Sequence, residues 1–248
     1  MHGAFQTSAL SPASDFLAGR LRDRFDDAGL RELECLLSEP ISLADGEILA
    51  ARGQELSRAN LLVEGFVLRS IVRDGKRFIV GVHVPGDFVD LHGFILKRLD
   101  HDIVAVGPVR VAQLEHDPLG EITAERPMLA KALWFATLLD AAIHRQWIRN
   151  LEALDAPQRI AHLYAELHHR LTLIGRNVSR ALRTPFTQRD LADMCGVSAI
   201  HANRAIARLR ELGLAEIRRG DLYTSNWKAI ETFAGFDPTY LYGDRTSR

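Results

Sequence analysis

Residues 187–213 read TQRDLADMCGVSAIHANRAIARLRELG. Thr187 followed by Asp190 has the spacing of a capping box, in which a hydroxyl and a carboxylate satisfy backbone N–H groups reciprocally. It opens a short helix with Leu191, Ala192 and Met194 available for burial. Gly196 supplies the tight turn that follows, since glycine takes a left-handed backbone at little cost. Ser198 caps a second helix, whose Ala202, Ile206 and Leu209 recur on one face until Gly213 ends it. Helix, short glycine-containing turn and helix together make a helix-turn-helix pattern.

With Ala202, Ile206 and Leu209 inward, helical spacing turns Ala199, Ile200, Asn203, Arg204 and Ala207 outward, with His201 and Arg208 on the flanks. Arginine pairs bidentately with guanine, asparagine with adenine, and small apolar groups meet the thymine methyl. Base contacts are therefore expected from Ala199, Ile200, Asn203 and above all Arg204. A helical hairpin with a solvated outer face is the competing interpretation. The next residues favour DNA: Leu214 to Thr224 alternates and turns at Gly220-Asp221, as a two-stranded basic wing would. Thr187, Gln188, Ser198, His201, Arg208 and Arg218 are expected to hold phosphate.

Upstream, the texture is β. The segments 47–50, 61–68, 77–84 and 102–106 are short and rich in β-branched residues, and Asp45-Gly46, Asp74-Gly75, Pro85-Gly86-Asp87 and Gly107-Pro108 punctuate them as turns. An all-β roll is expected over about 41–126. Before it, residues 1–40 read as a polar leader and a helix carrying Leu30, Leu33, Leu36 and Leu37, stopped by Pro40. After Pro127, no Pro or Gly interrupts residues 128–155, a helix that is apolar around most of its circumference between Met128 and Ile143. Such a helix must be covered on all sides. One heptad-like frame, Leu129, Ala132, Ala136, Leu139, Ile143 and Gln146, would let it pair with its copy in a homodimer. Burial within one subunit is the alternative. A further helix follows Pro157, and residues 156–248 form the winged helix-turn-helix domain. The fold class is thus α+β: N-terminal β-roll, long dimerisation helix, C-terminal winged helix-turn-helix.

Charge is divided unevenly. The whole chain of 248 residues has 31 Lys+Arg against 32 Asp+Glu, a formal charge of -1. Residues 159–221 carry 11 Arg, no Lys and six acidic residues, a balance of +5 that leaves -6 for the rest. A basic module joined to an acidic one is expected where one end meets phosphate. No apolar run is long enough for a membrane span and the N-terminus lacks signal-peptide layout, so a cytoplasmic protein without membrane attachment is expected. The two cysteines, Cys35 and Cys195, suit a reducing compartment and cannot by themselves supply a four-thiolate cluster.

The order of these parts resembles the Crp/Fnr family of bacterial transcription regulators over nearly the whole chain. Pro85-Gly86-Asp87-Phe88 at a roll turn, Leu191-Ala192 through Val197-Ser198, Asn203-Arg204 and the tail Phe236-Asp237-Pro238-Thr239-Tyr240-Leu241 carry the resemblance. It implies a homodimer on palindromic double-stranded DNA and, for an activator, RNA polymerase as partner. In cyclic-nucleotide-binding relatives a Gly-Glu pair holds the ribose and an Arg followed by Ser or Thr holds the phosphate. Here Asp90-Leu91 and His101-Asp102 occupy those places, and neither replaces a guanidinium. A cyclic AMP response is therefore not expected. Iron–sulfur relatives need several cysteines, so no such cluster is expected; haem relatives need axial ligands, for which His83, His92 and His101 are the roll candidates. Asp87, Asp90, His92 and His101 mark the expected effector pocket. Cys195 reads as a small buried residue, and His162, His168 and His169 lack the carboxylates of a metal site. No nucleophile–base pair or phosphate loop suggests an enzyme. The alternative function is a sensor of haem or another small ligand that signals by protein contact, with a degenerate helix-turn-helix.

Overall fold

The computed structural model describes residues 11–20, 22, 27–176 and 179–243, so the first ten residues of the leader and the last five of the chain lie outside it. Strands Ile41–Leu43 (β1), Ile48–Ala50 (β2), Arg58–Arg73 (β3), Lys76–His83 (β4) and Asp102–Glu115 (β5) form one antiparallel sheet in the order β1-β5-β3-β4, with β2 also paired to β5. β3 and β5 are longer than the apolar segments 61–68 and 102–106, and pair from Arg58↔Glu115 to Ser70↔Asp102. Gly107-Pro108 is not a turn but lies inside β5. The register shifts on both sides of Glu64, and Gly65 at φ 89° faces this point so closely that a Cβ there would lie 2.4 Å from the Pro108 carbonyl oxygen. Paired glycines therefore bend two long strands without ending them. Leu62, Val67, Ile103 and Val111 fill the roll interior.

Helix α1 (Asp27–Leu36) buries Leu33, and the short α2 (Gly93–Leu96) follows the Pro85-Gly86-Asp87-Phe88 turn. His116–Glu125 forms a helix, α3, within the span expected to be roll. The long helix α4 runs Pro127–Ala153, with proline at its first position, where the missing N–H costs no hydrogen bond.

The face of α4 expected to pair between subunits points elsewhere. Leu129 and Ala132 pack with Leu33, Leu61, Phe88 and Leu119 of the same chain, with Ala136 partly buried against them, while Leu139 and Ile143 pack on Leu241. The apolar frame is real, but the leader, the roll and the C-terminal tail cover it. The apolar residues of α4 left exposed include Trp134, Leu138 and Ile148.

Helix α5 (Ala156–Leu173) starts from Asp155, which accepts from Gln158 N–H at 2.9 Å while Gln158 Oε1 accepts from Asp155 N–H at 3.1 Å. It is buried on most sides: Phe66, Leu68, Val82 and Val84 of the roll and Leu191, Ala202, Leu209 and Leu222 of the C-terminal domain join it in one core. Helices α6 (Gln188–Met194) and α7 (Ala199–Glu211) are followed by a small sheet in the order β6-β8-β7, built from Ala181–Leu182 (β6), Glu216–Arg218 (β7) and Asp221–Tyr223 (β8), and then by α8 (Trp227–Ala234). The wing thus has a third strand. Its turn is one residue earlier than expected, at Arg219-Gly220, both with positive φ as a two-residue hairpin requires. Among the described residues no helix is long and apolar enough to cross a membrane.

Candidate nucleic-acid interface

The local signals around residue 190 produce the geometry they imply. Thr187 Oγ1 accepts from Asp190 N–H at 3.1 Å, and Asp190 Oδ2 accepts from Thr187 N–H at 2.8 Å and from its hydroxyl at 2.6 Å. Gly196 takes φ 63° between the helices, and Ser198 Oγ accepts from His201 N–H at 3.3 Å. Leu191, Ala192, Met194, Ala202, Ala205 and Leu209 are buried beneath them, with Ile206 partly buried. Cys195 is also buried, which pushes its thiol up to about 12 and leaves it protonated packing material.

The opposite face of α7 is open. Ala199, Ile200, Asn203 and Arg204 are all exposed, Ile200 at 66%, and Ala207 is partly so. The side chains of Asn203 and Arg204 have no hydrogen-bond or ion-pair partner among the described residues, so no protein contact competes with a ligand for them. Thr187, Gln188, Ser198 and His201 are exposed along the helix N-termini, where backbone N–H groups favour anions. Arg208 and Arg218 are exposed but engaged, Arg208 with Glu211 at 3.3 Å and Arg218 with Glu216 at 2.7 Å. Both are surface pairs that phosphate can displace.

The wing is held stiffly. The Gly220 carbonyl accepts from Tyr164 Oη at 2.5 Å and from Thr184 Oγ1 at 2.7 Å, and Thr184 N–H donates to Asp221 Oδ1 at 3.0 Å. Arg219, exposed in the turn itself, and Arg189, exposed in the first turn of α6, are basic groups of this surface that residue-type reasoning left unassigned. Their only sequence signal is adjacency to Arg218 and Gln188.

Of the four residues expected to share an effector pocket, His92 and His101 lie together, while Asp87 and Asp90 each have a buried partner of their own. Asp87 is paired with Arg170 from α5 and is held far below the usual carboxylate range: burial opposes its charge, but the neighbouring guanidinium outweighs it. Asp90 is fully buried and accepts from Asn60 N–H at 2.6 Å and from its Nδ2; burial pushes it up to about 6. His92 and His101 lie with ring centroids 5.5 Å apart, and His101 Nδ1 is 2.7 Å from Asp100. Burial holds His92 down at about 4. At Asp90 and His101 the 90–102 loop thus presents a carboxylate and an imidazole where an anion would need a guanidinium, and the loop's own guanidinium, Arg98, is turned to Glu55 and the Gly53 carbonyl at the surface. His83 faces a different cavity, of about 30 Å³. Among the described residues no group of three or more His, Cys, Asp or Glu forms a metal cluster.

Two family profiles match the chain in succession: a cyclic nucleotide-binding domain over residues 40–126 and a Crp-like helix-turn-helix domain over residues 158–233. The chain belongs to the Crp/Fnr family of transcription regulators. Among curated relatives, the nitrogen fixation regulation protein FixK of Bradyrhizobium diazoefficiens is 25% identical over 210 residues, covering 84% of this chain and 87% of its own. The transcriptional activator protein FnrL of Cereibacter sphaeroides is 27% identical over 175 residues, covering 68% and 69%. The solved structure of FixK2 from Bradyrhizobium japonicum superposes with a TM-score of 0.68 at 18% identity, covering 79% of this chain and 96% of that one, which establishes a shared fold. Within this Crp/Fnr framework the open face of α7 lies on the second helix of the helix-turn-helix, and the loop 90–102 lies inside the cyclic nucleotide-binding profile.

Proposed function

We propose that this chain is a homodimeric, sequence-specific DNA-binding transcription regulator that reads a palindromic site and does not respond to cyclic AMP. The observation that carries the proposal is the unpartnered Asn203-Arg204 pair on the exposed face of α7, set on a helix-turn-helix whose two caps are intact. Arg204 makes the principal base contact, assisted by Ala199, Ile200 and Asn203. Thr187, Gln188, Ser198, His201, Arg208 and Arg218 position the domain on the phosphates.

The dimer forms along α4, through the face of Trp134, Leu138 and Ile148, which are 65%, 52% and 68% exposed. Trp134, Ala141 and Ile148 are successive heptad positions, as are Leu138 and Arg145, so the seam suits a helix pair. Apolar side chains exposed repeatedly along one helix fit an association surface. Pairing there sets two α7 helices on successive major grooves of a two-fold symmetric site. Buried Asp90, bound to Asn60, and His101, held beside the Asp100 carboxylate, argue against cyclic AMP, whose phosphate requires a fixed cation at that loop. RNA polymerase is the further partner wherever the protein activates. Selection from a randomised DNA pool tests the proposal: enrichment of a palindrome supports it, and a pool in which the protein enriches no sequence contradicts it.

A further inference from the structure

Where the leader, the roll, α4 and α5 meet, the structure forms a pocket of about 30 Å³. Three nitrogen-bearing side chains line it and are almost fully buried: Arg20 is 4% exposed, His83 3% and Arg170 1%. Each keeps a nitrogen without a hydrogen-bond partner among the described residues, namely Arg20 Nη2, His83 Nε2 and Arg170 Nε. Buried donors are seldom left unmade, because each loses its hydration without compensation.

Arg20 stands apart from the other guanidiniums here. Arg69 is paired with Asp140 at 2.5 Å, and Arg170 with Glu166 at 3.2 Å and with Asp87. Arg20 donates through Nε to the Leu241 carbonyl at 3.1 Å and has no carboxylate within ion-pair distance among the described residues. Burial lowers its pKa only to about 10, so the cation persists at neutral pH. The carboxylates that act on it, Asp87 and Glu166, are both in ion pairs with Arg170, so its planar fork is left free to match a planar oxyanion. Phe88, Leu139 and Ile143 line the remaining walls together with two carboxylates already in ion pairs, Asp87 with Arg170 and Asp140 with Arg69.

We propose that this cavity binds a small planar monoanion, a carboxylate or inorganic oxyanion of three or four non-hydrogen atoms, with Arg20 as its counter-ion. The size follows from the volume, which admits about two or three water-sized groups. The site stands apart from the DNA-reading face, and it shares Asp87 with the expected effector pocket and His83 with the candidate haem ligands. Since its walls come from both the roll and α5, an occupant ties the sensor half of the chain to the DNA-binding half.

Isothermal titration of the full chain with sodium formate and with sodium bicarbonate, each against sodium chloride at equal ionic strength, tests this. Saturable binding of one anion per chain, with a rise in Tm as it loads, is the expected result. Formate alone identifies a carboxylate site, bicarbonate alone an oxyanion site, and either supports the proposal. Arg20→Gln weakens binding at least tenfold, whereas Arg98→Gln, at a surface arginine paired with Glu55, leaves it unchanged. Ala136→Leu fills the cavity from α4 while keeping Arg20, and abolishes binding even where Arg20→Gln proves unstable. Absence of saturable binding for both anions, or binding that survives Ala136→Leu, overturns the proposal.

Discussion

Arg77 of the roll donates from Nη2 to Asp190 Oδ1 of the helix-turn-helix at 2.6 Å, and from Nε to Asp193 Oδ2 at 2.8 Å. Asp190 therefore serves twice: one oxygen completes the cap of α6 with Thr187, and the other anchors that helix to strand β4. The pair is half-sheltered, with side-chain exposures of 31% for Arg77 and 8% for Asp190. Together with the contact of Phe66 on Phe186 at a centroid distance of 5.2 Å, it fixes the orientation of the DNA-reading helices on the roll of the same subunit.

Replacing Arg77 by alanine leaves the buried Asp190 oxygen without its cation. Charge-assisted hydrogen bonds of this kind contribute about 1.5–3 kcal/mol, so Arg77→Ala lowers the unfolding free energy by about 2 kcal/mol. Urea denaturation measures this directly. A change under about 0.5 kcal/mol would mean that the contact is not made in solution.

Much of the C-terminal half was legible because its signals are short-range. Thr187 with Asp190, Gly196 and Ser198 each act within four residues, and each takes the conformation its chemistry favours. Long-range partnerships left no such trace. Arg77 and Asp190 are 113 residues apart, and nothing in either segment names the other. The frame Leu129, Ala132, Ala136, Leu139 and Ile143 has a periodicity that shows an apolar face but not what covers it; the leader and tail that do so are distant in sequence. Gly107-Pro108 misled for a related reason: a bulge and a turn use the same residues, and only the partner strand at Gly65 distinguishes them. The two-residue strand β6 is too short to carry an alternating pattern.

The two faces of α4 separate by mutation. Trp134→Glu or Leu138→Glu converts the protein to a monomer in analytical ultracentrifugation while leaving its circular dichroism intact. Leu139→Ala leaves the association state unchanged but destabilises each subunit by about 2–5 kcal/mol, the cost of emptying a packed site. A Trp134→Glu, Leu138→Glu double variant that remains dimeric rules out this seam.

Acid destabilises the fold well above the carboxylate range. Burial holds His83, His92 and His162 down at about 4, so below the unfolded value of about 6.5 the unfolded chain takes up protons that the native chain refuses. Their stabilisation is complete above pH 6.5 and is lost as pH falls toward 4. Asp90, pushed up to about 6, and Glu166, also raised by burial, act in the opposite sense. The three histidines outweigh them, and unfolding near pH 5 takes up about 1–2 protons, a slope of about 1.4 kcal/mol per pH unit for each. Urea midpoints at pH 7, 6 and 5 that do not fall contradict this assignment.

Gly220→Ala disrupts the wing. Its φ of 87° disfavours any Cβ, and one placed there would lie 2.2 Å from the Phe186 carbonyl oxygen. The strained turn and displaced backbone cost at least about 1–2 kcal/mol, and thermal denaturation reads the loss. Arg218→Ala, by contrast, leaves Tm nearly unchanged, because its pair with Glu216 is exposed.

The most direct test of DNA reading by α7 is fluorescence anisotropy of a selected palindromic duplex and of a scrambled duplex, each titrated with native protein and with Arg204→Ala at one fixed salt concentration. Loss of a bidentate base contact weakens binding to the palindrome by about 1–3 kcal/mol, roughly ten- to a hundredfold, and leaves the weak binding to scrambled DNA almost unaltered. Equal weakening on both duplexes would reduce Arg204 to a phosphate contact, and undiminished binding to the palindrome would contradict the assignment of this face.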